Sequence, residues 1–184
     1  MPREVEVKIA IDDVSGSASR IEALGGELVL PRHFEDNCLF DTEHSSLATT
    51  GRILRVRQAV GRCVVTSKSG EPSNEASRYK IRTEIEVIVD DAAAIRALLE
   101  SVGFRVRWRY QKYRRAYRWE GATVVLDETP HGAYWEIEGE PASIDRAAAR
   151  LGFSARDYIT ETYWELHRRA CEREGLPIGD MVYE

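Results

Sequence analysis

Several familiar routes to function are missing from this sequence. No glycine-rich phosphate loop of the Walker or dinucleotide-binding type is present, which excludes the loop-based ways of holding a nucleotide. No serine or cysteine sits in a nucleophile motif, and His33, His44, His131 and His167 are scattered, each reading as a surface or turn residue, with His33 and His131 near enough to turns to stand at the rim of a site. Cysteine is scarce: Cys38, Cys63 and Cys171 are far apart and in no metal-ligand spacing, so they read as reduced thiols rather than a disulfide framework. Positive charge is not in excess, with 26 Lys and Arg against 31 Asp and Glu and a net charge of -5. That balance argues against nucleic acid or an anionic membrane as partner. No apolar run approaches the ~18 residues of a membrane span, and Met1-Pro2-Arg3-Glu4 leads straight into a charged strand without a signal peptide. The expected location is cytoplasmic.

What the sequence has instead is period-two alternation, the mark of strands with one apolar and one polar face. Glu4-Val5-Glu6-Val7-Lys8-Ile9 alternates charge and aliphatic. So do Ile53 to Arg57, Val64 to Lys68, Glu84 to Val89, Val124 to Asp127 and Trp135 to Glu138, with a further strand from Asn37 to Phe40 ahead of Asp41. In Arg105 to Trp119 the apolar positions are even at first (Val106, Trp108, Tyr110) and odd later (Tyr113, Tyr117, Trp119). The flip predicts a bulge near Tyr110 and Gln111, after which Lys112 and Arg114 oppose the aromatics. It also puts Arg105, Arg107 and Arg109 on a solvated face, and Trp108, Tyr110, Trp119 and Trp135 in an outer core.

Helices are expected over Ser17–Leu24 (capped by Asp13 or Ser15), Ala92–Ser101 after Asp90-Asp91, Ile144–Leu151 after Ser143, and about Thr160 to Arg173 before Gly175. The second carries Ile95, Leu98, Leu99 and Val102 on one face. The last either covers the end of a site or forms a homodimer interface. Ser69 to Ser77 reads as a mobile loop. At 184 residues, a single α+β domain spanning 1–184 is expected, with many antiparallel strands and helices packed outside.

The polar strand faces carry charge where Ser, Thr or Gln would do. Glu-x-Glu occurs three times, at Glu4/Glu6, Glu84/Glu86 and Glu136/Glu138, and basic faces (Arg55/Arg57, Lys68, Lys112/Arg114) stand between them. If the strands close into a barrel, these faces line its lumen, and about eight strands leave room for one small ligand. A buried ion costs several kcal/mol, against a whole-domain stability of ~5–15 kcal/mol, so a dozen charges require a wet lumen. Arg and Lys suit phosphate oxygens, and clustered carboxylates suit Mg²⁺ or Mn²⁺. A metal-bound triphosphate satisfies both.

The order of these motifs resembles the CYTH superfamily of class IV adenylyl cyclases, thiamine triphosphatases and inorganic tripolyphosphatases. Glu4-Val5-Glu6-Val7-Lys8 is similar to its Glu-x-Glu-x-Lys signature, Leu54-Arg55-Val56-Arg57 to its Leu-Arg-x-Arg, and Thr66-Ser67-Lys68 to its Thr-x-Lys. Arg82-Thr83-Glu84-Ile85-Glu86, Lys112-Tyr113-Arg114 with Tyr117, and Leu126-Asp127 with Gly132 and Glu136-Ile137-Glu138 follow in the family's order. The resemblance implies a closed eight-stranded antiparallel β-barrel, the triphosphate tunnel, with helices outside. It implies that Lys8, Arg55, Arg57, Lys68, Lys112 and Arg114 hold the triphosphate. Glu4, Glu6, Asp127, Glu136 and Glu138 would hold one or two divalent cations (Mg²⁺ or Mn²⁺), with Glu4, Glu6 and Lys8 central to catalysis. Glu84 and Glu86 either serve the metal or buttress the basic residues, and Arg52 adds an arginine at the tunnel mouth. The leading expectation is a metal-dependent triphosphatase. A class IV adenylyl cyclase and a non-catalytic polyphosphate or nucleotide sensor stay open beside it.

Overall fold

The computed structural model describes residues 3–70 and 77–184, so the mobile loop expected over Ser69–Ser77 falls mostly on residues 71–76, outside the described residues. The alternating segments become β1 (Arg3–Ile11), β2 (Glu27–Thr42), β3 (Arg52–Ala59), β4 (Arg62–Gly70), β5 (Lys80–Val89), β6 (Phe104–Trp119), β7 (Ala122–Thr129) and β8 (Gly132–Glu138). They form a closed barrel in the order β1-β5-β4-β3-β2-β6-β7-β8, every ladder antiparallel, and β8 returns to β1. This is the expected α+β architecture, with α1 (Val14–Ala23), α2 (Ala92–Ser101), α3 (Pro141–Arg150) and α4 (Tyr163–Glu174) outside. No helix among the described residues is long and apolar enough to cross a membrane.

Local chemistry sets the helix ends. The Asp13 carboxylate accepts from the Gly16 amide, and Asp91 accepts from the amides of Ala93 and Ala94, each satisfying donors that a first turn leaves open. Thr162 and Glu165 form a reciprocal capping box at α4. The third helix starts earlier than expected. Pro141 occupies its first turn, where a missing N–H costs nothing, and Ser143 lies inside the helix as a buried residue rather than serving as the cap.

The outer faces make the core. Val7, Ile9, Tyr117, Val124, Leu126, Trp135 and Ile137 pack with Ile21 of α1 and Ile144, Ala147 and Ala148 of α3, most of them fully buried. Each large side chain there contributes about 1.5–3 kcal/mol. A smaller cluster joins Cys38, Phe40, Val56 and Cys63 to Leu99 of α2. The cover is incomplete, contrary to expectation: Ile85 and Val87 on the outer face of β5 are 47% and 56% exposed, and of the expected apolar face of α2, Leu98 and Val102 stay exposed.

Two free strand edges are capped by extra chain. Lys8 exchanges backbone hydrogen bonds with Ile159 at 2.9 and 2.8 Å, beyond the point where β5 stops pairing with β1. Met181 bonds the backbone of Arg109 and Gln111 at 3.0 and 2.8 Å, covering the half of β6 that β7 does not reach.

The bulge in β6 lies four residues earlier than the alternation suggested. Pairing with β2 jumps from Leu39↔Trp108 to Phe40↔Val106, leaving Arg107 as the extra residue. From Trp108 onward the even positions face inward, so Trp108 and Tyr110 line the lumen instead of joining an outer core. Trp119 and Trp135 are in the outer core as expected.

Candidate functional site

The lumen encloses a cavity of about 640 Å³. Alternation delivers its lining: β1 contributes Glu4, Glu6 and Lys8, β3 Arg55 and Arg57, β4 Lys68, β5 Glu84 and Glu86, β6 Lys112 and Arg114, and β8 Glu136 and Glu138. Arg52 also reaches the cavity wall. Asp127 is fully buried behind this lining, where its carboxylate accepts from Lys112, Arg114 and the Tyr163 hydroxyl at 2.6–2.8 Å.

Two kinds of carboxylate result. Those at the β6–β7–β8 side are saturated by cations. Lys8 lies 3.0 Å from Glu136 and 3.2 Å from Glu6, and Arg114 bonds both Asp127 and Glu136. Burial opposes the charge on Glu136, yet Lys8, Lys112 and Arg114 hold its carboxyl well below the usual range. Burial likewise opposes the charge on Glu6, which Lys8 and Lys80 hold low, with Lys80 at 2.6 Å. Burial would lower the Lys8 pKa, but Glu136 and Glu6 raise it well above normal.

At the β1–β5–β8 side carboxylates crowd each other. Lys68 bonds both oxygens of Glu4 at 2.7 Å and stands 3.2 Å from Glu84. Glu138, exposed to solvent, has no ion pair among the described residues; partial desolvation by the surrounding protein together with Glu4 and Glu6 pushes its pKa up to about 7. Burial raises the pKa of Glu84 too, with Glu4 and Glu86 adding to it. Glu4, Glu6 and Glu138 bring carboxylate oxygens together on the paired strands β1 and β8, the donor type a hard divalent cation takes.

The arginine wall is only partly engaged by acceptors of the protein itself. Arg55 bonds Thr66 at 3.2 Å and lies 3.5 Å from Glu86, while Arg57 lies 3.4 Å from Glu86 and 3.6 Å from Glu35. Arg55 Nε and Arg82 Nη1 are nevertheless buried with no hydrogen-bond partner among the described residues. Such orphaned donors are costly unless a ligand oxygen meets them. Burial would lower the Arg55 pKa, but Tyr110 and the nearby carboxylates raise it.

The structure adds residues outside the expected set. Lys80 and Arg82 line the cavity, and their alternation with Glu84 and Glu86 was legible in the sequence. Burial and Lys8 lower the Lys80 pKa to about 8. Glu35 is 2% exposed and 3.7 Å from Lys112; burial opposes its charge, but Arg114 and Lys112 hold it low. It sits in a stretch whose alternation is broken, so no local signal marked it. Tyr163, at the start of α4, lies between two ammonium groups, with Lys8 and Lys112 5.1 and 4.9 Å from its ring centre. Thr162 and Trp164 join it in the lining, so the last helix covers part of the tunnel.

Arg107 lines the cavity, a departure from the solvated face expected for it. Arg109 instead pairs with Asp36, and Arg105 bonds the carbonyls of Glu100 and Phe104. Trp108 stacks on Tyr110 at 4.8 Å and meets Trp164 edge-on at 5.2 Å. His33 turns to Glu35 at 3.4 Å and is not part of the cavity wall.

Comparisons with known proteins place this barrel in a family. The CYTH domain model matches residues 2–163, and the chain belongs to that family. A protein of Methanocaldococcus jannaschii named "Putative adenylate cyclase MJ0240" is 28% identical over 174 residues, covering 89% of this chain and 97% of its own. A Vibrio parahaemolyticus structure described as a "putative adenylate cyclase" superposes with a TM-score of 0.77 at 17% identity, over 89% of this chain and 96% of the other. A Hippeastrum structure, "Putative adenylyl cyclase HpAC1", described as revealing a dominant triphosphatase activity, gives 0.60 at 23% identity over 95% and 97%.

Proposed function

We propose that this chain is a divalent-metal-dependent triphosphatase, acting on a small triphosphate held in the barrel lumen. The observation that carries the proposal is that one cavity holds both an arginine wall, with two donors unmet among the described residues, and a crowded group of carboxylates. A metal–triphosphate bears both complementary signs. Arg55, Arg57, Arg82, Lys112 and Arg114 bind and orient the phosphates, with Lys8 and Lys68 moving from carboxylate to phosphate oxygen as the ligand enters. Glu4, Glu6 and Glu138 would hold Mg²⁺ or Mn²⁺, which would offset charge on the phosphates and activate water. Asp127 and Glu136, already saturated, position Lys8, Lys112 and Arg114, and Glu84 and Glu86 do the same for Lys68 and the arginine pair. The dominant triphosphatase activity ascribed to the Hippeastrum relative supports hydrolysis.

One observation favours a second reading. Trp108, Tyr110 and Trp164 give the lumen an aromatic surface that inorganic tripolyphosphate does not need and a nucleobase does. A class IV adenylyl cyclase would use it to hold ATP. Incubation with tripolyphosphate, ATP and thiamine triphosphate, each with Mg²⁺ or Mn²⁺, separates the readings. Orthophosphate supports the triphosphatase; cyclic AMP with pyrophosphate replaces it by the cyclase; tight binding without turnover replaces both by a sensor.

A further inference from the structure

Outside the tunnel lining, three side chains scattered in sequence meet where the β7–β8 turn touches α4. The ligand atoms of His131, His167 and Cys171 all lie within 4.8 Å of one another. His167 and Cys171 are four residues apart, so they share one face of α4, and both are buried, at 3% and 2% exposed. Cys171 Sγ is 3.8 Å from Nδ1 and 3.7 Å from Nε2 of His167, and the rings of His131 and His167 are 4.9 Å apart.

Two features point to a ligand. The Nε2 of His167 is 2.9 Å from the Gly179 carbonyl oxygen. Donation of Nε2–H to that oxygen leaves Nδ1 with its lone pair, the way a metal-ligating histidine is held by a backbone carbonyl. The ring of His131, half-buried, takes part in no hydrogen bond among the described residues; its backbone N–H donates to Thr129. Three soft or borderline donors are thus together, one oriented and one unengaged.

We propose that His131, His167 and Cys171 form a second metal site, for a borderline divalent cation of the zinc class. Two imidazoles and a thiolate select such an ion over Mg²⁺ or Mn²⁺, which prefer oxygen. The site is therefore chemically separate from the carboxylate group in the lumen. Tetrahedral bonds of about 2.0–2.1 Å to nitrogen and 2.3 Å to sulfur set ligand atoms roughly 3.3–3.6 Å apart. Closing the triangle needs a shift of about 1 Å, which the side chain of a half-buried turn residue accommodates. Binding releases the Cys171 thiol proton and leaves a fourth position for water. Its consequence is mechanical: the ion ties the β7–β8 turn to α4, whose first turn carries Tyr163 and Trp164 into the tunnel wall.

The test uses the full chain, stripped by chelator and titrated with Zn²⁺ against a chromophoric competitor, with Co²⁺ as spectroscopic probe. Co²⁺ should show a thiolate charge-transfer band, and one equivalent of Zn²⁺ bound at this site should abolish it. His131→Ala, a change at a half-buried turn, and Cys171→Ser should each weaken Zn²⁺ by at least about 100-fold, and the band should vanish in Cys171→Ser. In Glu6→Gln the thiolate band, and its loss on adding Zn²⁺, should be as in the unaltered protein. Circular dichroism confirms that the variants are folded. The proposal is overturned by the absence of a thiolate band that Zn²⁺ abolishes, by a band that both site variants retain, or by a band that Glu6→Gln abolishes.

Discussion

Lys8 joins carboxylates on two strands, Glu6 beside it on β1 and Glu136 on β8, while Glu6 in turn takes Lys80 from β5. A network of this kind neutralises itself only while the tunnel holds no ligand, and the proposed function requires it to exchange partners. Glu6→Gln removes one acceptor without changing shape. The expected outcome is a folded protein, judged by circular dichroism, with triphosphatase activity at limiting Mg²⁺ reduced at least roughly 100-fold, more than the loss of an outer metal-site contact typically costs. Undiminished turnover at limiting metal would remove Glu6 from the site. Arg55→Lys and Arg57→Lys keep the charge but lose the planar fork, so each should weaken kcat/KM by about 10–100-fold, the worth of one charge-assisted hydrogen bond. Arg105→Lys and Arg109→Lys, whose contacts are Glu100, Phe104 and Asp36, should leave kcat/KM within about twofold. Equal losses in the two sets would mean that the β6 face is wrongly placed.

At the scale of elements, the sequence revealed most where a strand is paired on both sides and alternates without interruption. Glu4 to Ile9 and Ile53 to Arg57 lie in such strands, and their charged faces were legible from the sequence. The first half of β2 was missed for a physical reason. Glu27 to Phe34 pairs with β6 but not with β3, carries Pro31, and shifts register between Leu28 and Leu30 and again between Leu30 and His33. Each shift breaks the alternation, and Leu28, Val29 and Phe34 remain exposed, so no apolar face announces it. Glu35 was lost with that stretch. Trp108 and Tyr110 were misplaced because a bulge at Arg107 flips the face, and an aromatic on a lumen wall looks in sequence like any core aromatic. Of the helix caps, Asp91 was legible in the sequence and Thr162 was not, and the two serve different ends. Asp91→Ala and Thr162→Ala should each cost about 1 kcal/mol and lower Tm by roughly 2–4 °C. Asp91 starts a helix remote from the lumen, so activity should survive its loss; Thr162 sets the turn that presents Tyr163 to Asp127, so activity should fall as well. Equal activity in the two variants would detach α4 from the site.

For the whole molecule, the charged lumen makes stability depend on what fills it. A ligand that binds only the folded barrel stabilises it by about 2.7 kcal/mol at a hundred times its Kd, which for a chain of this size is roughly 5–10 °C in Tm. Tripolyphosphate with Mg²⁺ should produce such a shift, and orthophosphate a smaller one. No shift at saturating ligand would contradict a triphosphate tunnel. Without ligand, pH reports the same crowding through Glu138. Partial desolvation and the neighbouring Glu4 and Glu6 raise its folded pKa from the ordinary value of 4.5 to about 7, so between these values the folded chain binds more of this proton than the unfolded chain does. Stability from this group is therefore complete below about 4.5 and is lost as pH rises through about 7. The Glu6, Glu35 and Glu136 carboxyls have folded pKa values below the ordinary range, so their contributions vary mainly at lower pH and do not mask this window. In chelator, Tm should thus decline between pH 5 and pH 8. Glu138→Gln, which cannot ionise, should flatten that decline, and saturating Mg²⁺ should reverse it, because the cation then offsets the charge that crowding resists. A variant that keeps the wild-type slope would show that the repulsion in the lumen is carried by other carboxylates.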